Sequence, residues 1–203
     1  MPSINDSNER TIDFYNRKAD QFVRDTHNLD MSSSYAPFCA LLKPGAHILD
    51  AGCGSGRDSR YFLDQGYKVT AFDASRELAN AASELLGQPV LRMRFDQVEY
   101  CQEFDAVWAC ASLLHIPKVS MRAVIARLSR SIVEGGVFFL SFKYGNNEEF
   151  RHDRHFSDYD EEAFSELIKD ISNLSILEMR KTADERPQRD DEYWLSVILQ
   201  VVG

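Results

Sequence analysis

The stretch His47-Ile48-Leu49-Asp50-Ala51-Gly52-Cys53-Gly54-Ser55-Gly56-Arg57-Asp58 decides how the rest of the chain is read. His47 to Ala51 is an apolar run of strand length, ending beside the single acid Asp50. Gly52, Gly54 and Gly56 then stand on alternate positions, and a helical pattern follows from Asp58. Glycine lets the backbone turn tightly and lie close to a ligand. The first turn of a helix leaves N–H groups unpaired and carries the positive end of its dipole. A strand, a glycine turn and a helix in that order make a seat for a nucleotide or a carboxylate.

The glycine spacing separates two classes of ligand. A dinucleotide fingerprint reads G-x-G-x-x-G. Counted from Gly52, its third glycine would fall on Arg57; here the third glycine is Gly56, giving G-x-G-x-G. Asp50 precedes the first glycine by two positions. That acid suits a ligand carrying an ammonium group better than one carrying a pyrophosphate. S-adenosylmethionine offers an amine, a carboxylate and a ribose.

Working outward, strand and helix patterns alternate. Tyr35 to Leu42 reads as a short helix stopped at Lys43-Pro44-Gly45. Asp58 to Gln65 reads as a helix closed by Gly66, Tyr67 to Phe72 as a strand before Asp73, and Ser75 to Leu86 as a helix ended by Gly87. Pro89 to Phe95 is expected as a strand, Phe104 to Ala111 as another, and Pro117 to Val133 as a long helix. Gly135-Gly136 turns into the strand Val137 to Phe142. Such alternation argues for an α/β fold with a parallel sheet and helices on both faces. Gly145 to Ser157 reads as a charged loop and Asp160 to Asp170 as a helix capped by Asp160. Leu174 to Met179 and Tyr193 to Val202 read as strands flanking the charged stretch Arg180 to Glu192. Upstream, Ile12, Tyr15, Ala19, Phe22 and Val23 recur at helical spacing before the polar break Asp30 to Ser34.

Composition narrows the function classes. A chain of 203 residues is expected to form a single domain. We divide it into an N-terminal helical cap, residues 1–34, and a core, residues 35–203. No apolar run approaches the ~18 residues of a membrane span, so no membrane partner is expected. Met1 to Arg10 lacks the apolar core of a signal peptide. The cysteines, Cys39, Cys53, Cys101 and Cys110, form no C-x-x-C pair. The expectation is a cytoplasmic protein with reduced thiols and no metal. A net charge of −9 argues against a surface that grips bulk nucleic acid.

Asp50-Ala51-Gly52-Cys53-Gly54-Ser55-Gly56 resembles the first motif of class I S-adenosylmethionine-dependent methyltransferases. The likeness runs over most of residues 10–145. It is nearest to small bacterial enzymes of the tellurite-resistance and ubiquinone-biosynthesis type, whose patterns are echoed by Phe104 to Ala109 and by Ala111-Ser112-Leu113-Leu114-His115. The resemblance implies a Rossmann-like, seven-stranded, mostly parallel sheet with the last strand antiparallel. It implies S-adenosyl-L-methionine as cofactor, bound by Asp50, Gly52, Cys53, Gly54 and Gly56. Asp73 and Ala74 follow at the end of the second strand. Asp73 lies 21 positions (73 − 52) after Gly52, close to the spacing of a ribose-binding acid. Its other role would be to cap the next helix, but Ser75 can do that alone. The resemblance places Phe95 and Asp96 at the adenine. Small residues at Ala109, Cys110 and Ala111 leave carbonyls for the ammonium group, and a nucleophilic Cys110 has no flanking cation to activate it. Arg57 either reaches the cofactor carboxylate or pairs with an acid. Tyr15 either meets that carboxylate from the N-terminal helix or is an ordinary core aromatic, and Met31 either covers the adenine or fills space.

The chemistry is less legible. Methyl transfer needs alignment and exclusion of water, and needs a base only where the nucleophile holds a proton of high pKa. His115, Lys143 and Tyr144 stand after the fourth and fifth strands, where open α/β sheets bind ligands. Arg151-His152-Asp153-Arg154-His155 is either a solvated loop or a lure for an anionic substrate. Arg186, Arg189 and Trp194 are candidates for the pocket rim. The acceptor is expected to be a small anionic or soft-nucleophile molecule. RNA or protein methylation, and a non-catalytic cofactor-binding module, stand as alternatives.

Overall fold

The computed structural model of the chain describes residues 4–184 and 192–203. Two helices come first, α1 (Ile4–Thr26) and α2 (Ser32–Cys39). The alternating part follows: β1 (His47–Ala51), α3 (Arg57–Asp64), β2 (Lys68–Asp73), α4 (Arg76–Leu86), β3 (Leu91–Arg92), β4 (Phe104–Ala109), α5 (Lys118–Ser129) and β5 (Ile132–Lys143). A hairpin of β6 (Glu148–Arg151) and β7 (Arg154–Ser157) precedes α6 (Glu161–Ile168), and β8 (Leu174–Ala183) and β9 (Tyr193–Val201) complete the fold.

Seven strands form one sheet in the order β3-β2-β1-β4-β5-β9-β8. β1 pairs in parallel with β2 and β4, while β9 runs antiparallel to both β5 and β8. The expected α/β sheet with an antiparallel last strand is therefore present. The chain steps outward from β1 to β3 and then returns to β4. The switch point lies between β1 and β4, and ligands of open sheets bind outside the carboxyl ends there.

Side-chain alternation explains the two-sided core. Val107, Phe138 and Leu140 face α5, with Met121, Ile125 and Leu128 against them. Ala106, Trp108 and Phe139 face the other way, onto Phe38 of α2 and Phe62 of α3. Trp108 and Phe139 stack with ring centroids 3.9 Å apart. Burial on both faces is why β1 reads as a continuous apolar run.

Several expectations needed correction. The helix expected to run to Val133 ends at Ser129, and β5 begins at Ile132 and holds Gly135-Gly136 within it, where a turn was expected. The strand expected over 89–95 shrinks to Leu91–Arg92, and Phe95–Gln97 is a 3-10 turn. β3 is an edge strand with both residues exposed, so little burial holds it extended. The loop expected over 145–157 holds a hairpin, β6 and β7, paired from Glu148↔Ser157 to Arg151↔Arg154. Its turn places His152 and Asp153 at φ +50° and +66°, a conformation usually signalled by glycine. β8 also runs on through Arg180 to Ala183, part of the stretch read as a charged connector.

Candidate active site

The three loop glycines are all in the left-handed region, at φ +78°, +56° and +81°. Space matters as much as conformation at Gly52, where a Cβ would lie 2.6 Å from the Cβ of Ser112. The loop is fixed from below. Gly52 and Cys53 donate their N–H groups to the carbonyl of Phe72 at 2.9 and 3.0 Å. Asp73 accepts from the Gly54 N–H at 2.9 Å and from the Ser75 N–H at 2.8 Å. Burial pushes the Asp73 carboxyl up to about 6, against the opposing pull of these backbone donors. Ser75 caps α4 through Leu78 N–H, as expected.

A cavity of about 380 Å³ opens at the carboxyl ends of these strands. Gly52, Cys53, Gly54, Asp73 and Ala74 form one wall. Phe95 and Asp96 line another part, with Phe95 edge-on to Phe72 at 5.5 Å. Asp96 is at the rim, half-exposed, with both oxygens 3.0 Å from Arg94. Cys110 and Ala111 reach the cavity beyond β4. Burial, with Asp58 nearby, pushes the Cys110 thiol up to about 12, so it is not a thiolate.

Four sequence-derived candidates do not line this cavity. Gly56 caps α3 and faces Ala82, and Ala109 is wholly buried in β4. Tyr144 lies outside it, donating to Glu161 at 2.8 Å with Lys181 over its ring. Asp50 is buried below the loop and accepts from Ser59 Oγ at 2.6 Å. Burial and the neighbouring Asp58 push its carboxyl up to about 8, so it holds a proton at neutral pH.

Asp58, legible in the sequence only as a helix start, is a further carboxyl on the cavity wall. It accepts from Tyr35 Oη at 2.5 Å, Arg57 Nε at 2.6 Å and Trp108 Nε1 at 2.8 Å. Burial alone would raise it, but Arg57 and the neutral donors bring it below the ordinary carboxylate value. Arg57 also lines the cavity, and its partner is this buried acid rather than a surface one. A helix N-terminus with an acid in its first turn was the available signal.

The far end is built by α1, the hairpin and β9. His115, in a 3-10 turn after β4, places Nδ1 2.6 Å from the carbonyl of His155 and Nε2 2.8 Å from Tyr15 Oη. A carbonyl only accepts, so Nδ1 carries the hydrogen and Nε2 takes the tyrosine proton. Burial brings the His115 pKa down to about 3. Lys143 lines the cavity too, but its ammonium sits between Asp184, at 2.7 Å, and Glu192, over the ring of Trp194. Trp194 is on the cavity wall; Arg186 and Arg189 lie outside the described residues. Met31 also lines the cavity. Among the described residues no three His, Cys, Asp or Glu side chains group as a metal site, and no helix is long and apolar enough to cross a membrane.

Comparison with known families matches residues 48–136 to the family described as "Methyltransferase domain". The match spans less than half of the chain. It covers β1 through the start of β5, and so the glycine loop and Asp73. The chain is similar to the ubiquinone biosynthesis O-methyltransferase of Xanthomonas campestris pv. campestris (strain B100), 34% identical over 105 residues, 48% of this chain and 43% of that protein. Over 89% of this chain and 70% of that protein, it is 22% identical to the "Probable S-adenosyl-L-methionine-dependent methyltransferase TehB" of Haemophilus influenzae. The chain spans less than half the length of the curated relatives that it matches at about a third identity. The Burkholderia thailandensis 1,6-didemethyltoxoflavin-N1-methyltransferase, solved with 1,6-didemethyltoxoflavin and S-adenosylhomocysteine, shares the fold at TM-score 0.83 and 20% identity, covering 100% of this chain and 92% of that one. The shared fold thus extends over the whole chain.

Proposed function

We propose that the chain transfers a methyl group from S-adenosylmethionine to a small anionic or soft-nucleophile acceptor. One observation carries this reading: a left-handed glycine loop and a strand-end carboxylate, Asp73, share a cavity of about 380 Å³ with a separate polar end formed by α1 and the hairpin. The volume suits one small-molecule ligand or a ligand pair in contact.

The donor set fits the cofactor. Each Asp73 oxygen accepts one backbone N–H and keeps a lone pair for a ribose hydroxyl. Asp58, at the wall, would be the carboxylate for the ammonium group; Asp50 supports α3 from below through Ser59. Phe95 offers a ring to the adenine, and Asp96 an acceptor for its amine. When bound, S-adenosylmethionine supplies a methyl group activated by a sulfonium. The chain supplies alignment and a dry site. α1 closes the cavity as a cap. Tyr15 reaches His115, and Asn16 accepts from Ser75 Oγ at 2.8 Å. We assign no base role to His115, Lys143 or Tyr144. His115 orients Tyr15, Lys143 braces β5 against β9, and Tyr144 lies outside the cavity. Four unpaired thiols suit a reducing cytoplasm.

Calorimetric titration with S-adenosylhomocysteine tests the reading on the wild type and on Asp73→Ala. Micromolar binding is expected, weakened at least about tenfold by the substitution, the equivalent of ~1.4 kcal/mol. A wild type that takes up no S-adenosylhomocysteine would end the proposal.

A further inference from the structure

The β6–β7 hairpin supplies the end of the cavity that the cofactor leaves over. Its basic run divides on folding. Arg151 pairs with Glu149 and Asp158. Asp153, at the turn, meets Arg10 and Arg17 of α1. His155 approaches Glu148 at 3.2 Å. Arg154 alone of these five lines the cavity.

Among the described residues no carboxylate pairs with Arg154, although the chain carries nine more acids than bases. Three aromatic rings hold it instead. Its guanidinium carbon lies 4.6 Å from the ring centre of Phe14, 5.1 Å from Phe156 and 5.8 Å from Tyr15. Ring faces position a cation without cancelling its charge. Nη1 reaches Tyr15 Oη at 3.3 Å, while Nε is buried and meets no acceptor. Arg154 lines the cavity, so its guanidinium is the donor group that an entering anion meets beside the rings. A guanidinium offers Nε–H and a neighbouring Nη–H as a fork that matches a carboxylate.

The neighbouring histidine gives a second constraint. Both ring nitrogens of His115 are engaged, one by a carbonyl and one by Tyr15. Neither is poised to take a proton from an acceptor. A nucleophile that arrives as an anion needs no such base.

We propose that Arg154 is the anion anchor of the acceptor subsite, and that the acceptor is a small molecule bearing a carboxylate or similar oxyanion, ionised before it enters. This rests on the methyl-transfer reading above and names its substrate class. The orienting pair of Tyr15 and His115 keeps a tyrosine oxygen beside the guanidinium, so the anion is met by a fixed arrangement.

The test follows the Arg154 Nε–H resonance in a proton–nitrogen correlation spectrum, assigned by its absence in Arg154→Lys. The protein is saturated with S-adenosylhomocysteine and titrated with benzoate, acetate and phosphate, with neutral benzamide as the control. Benzoate is expected to move the resonance and benzamide to leave it in place. Arg154→Met is expected to bind benzoate at least about tenfold more weakly and to keep S-adenosylhomocysteine affinity within about threefold. The proposal is overturned if no anion moves the resonance up to about 10 mM, or if benzamide acts as benzoate does. It is also overturned if Arg154→Met loses S-adenosylhomocysteine as well, because Arg154 would then hold the cofactor's own carboxylate. Where Arg154→Met melts below the wild type, Arg154→Lys makes the comparison, keeping the charge but not the fork. A wild type that takes no S-adenosylhomocysteine removes the methyl-transfer reading instead; the anion titration, run without it, still decides for or against the anchor.

Discussion

Asp50 and Asp58 flank the same glycine loop, yet their surroundings separate their charge states. Asp50 has one hydroxyl, Ser59 Oγ, and lies near another acid. Asp58 has a guanidinium, a phenol and an indole N–H. Two adjacent buried carboxyls do not readily both ionise, and the better-solvated one keeps the charge. The folded-state pKa of Asp50 lies above its unfolded value of 3.8, at about 8. The folded protein therefore keeps a proton that the unfolded chain gives up, and this carboxyl's contribution to stability falls as pH rises from about 4 through about 8. Asp50→Asn removes that dependence. The variant is expected to be more stable than wild type by about 1–3 kcal/mol at pH ~9, with the gap closing towards pH ~4. Denaturant midpoints across that range measure it. Asp50→Asn is also expected to retain S-adenosylhomocysteine binding, because an amide replaces an already neutral group; loss of binding would make Asp50 the ammonium's partner after all.

At the scale of elements, α1 lies against the cavity without being part of the sheet. Tyr15 meets His115, the Thr11 hydroxyl accepts the His155 N–H at 3.1 Å, Asn16 meets Ser75, and Phe22 packs on Gly54. Three of these contacts land on different parts of the cavity wall, at His115, Ser75 and Gly54, so a ligand inside should order the helix. Amide exchange over residues 12–26 is expected to slow on adding S-adenosylhomocysteine, by more than over α5, which is fixed in the core. Asn16→Ala should lose part of that protection, about 1 kcal/mol for one hydrogen-bonded contact. Equal slowing in α1 and α5 would leave α1 an ordinary packed helix. The helical spacing of Ile12, Tyr15, Ala19 and Phe22 made α1 legible, and the buried run 47–51 with its glycines made the loop legible. The hairpin was not, because its turn uses His152 and Asp153 where glycine is the usual signal. Arg154 was visible only as one of five charges; it pairs directly with Arg151, and only the partners of the folded chain separate the two, Asp158 for Arg151 and the Phe14 ring for Arg154. Asp58 was hidden for the same reason. Its role depends on Tyr35 and Trp108, 23 and 50 positions away in sequence.

For the whole molecule, charge and cavity shape point to the same acceptor scale. A net charge of −9 repels a polyanion, and binding to nucleic acid draws its affinity from neutralised phosphates. The basic groups nearest the cavity do not form a track. Arg151 and Lys143 are paired with acids, Arg57 with Asp58, and Arg10 and Arg17 with Asp153. Among the described residues that line the cavity, Arg154 is the cation left without a carboxylate partner, and about 380 Å³ is room for small molecules rather than a strand. Incubation with methyl-labelled S-adenosylmethionine and a cell extract is therefore expected to place label in the small-molecule fraction and none above background in RNA or protein. Label that follows RNA through nuclease digestion into methylated nucleosides would overturn both the small-acceptor reading and the argument from charge. Adding salt separates the cases further. Transfer to RNA should fall steeply between low and physiological ionic strength, whereas a single anion held by one partly desolvated guanidinium should lose only a few-fold.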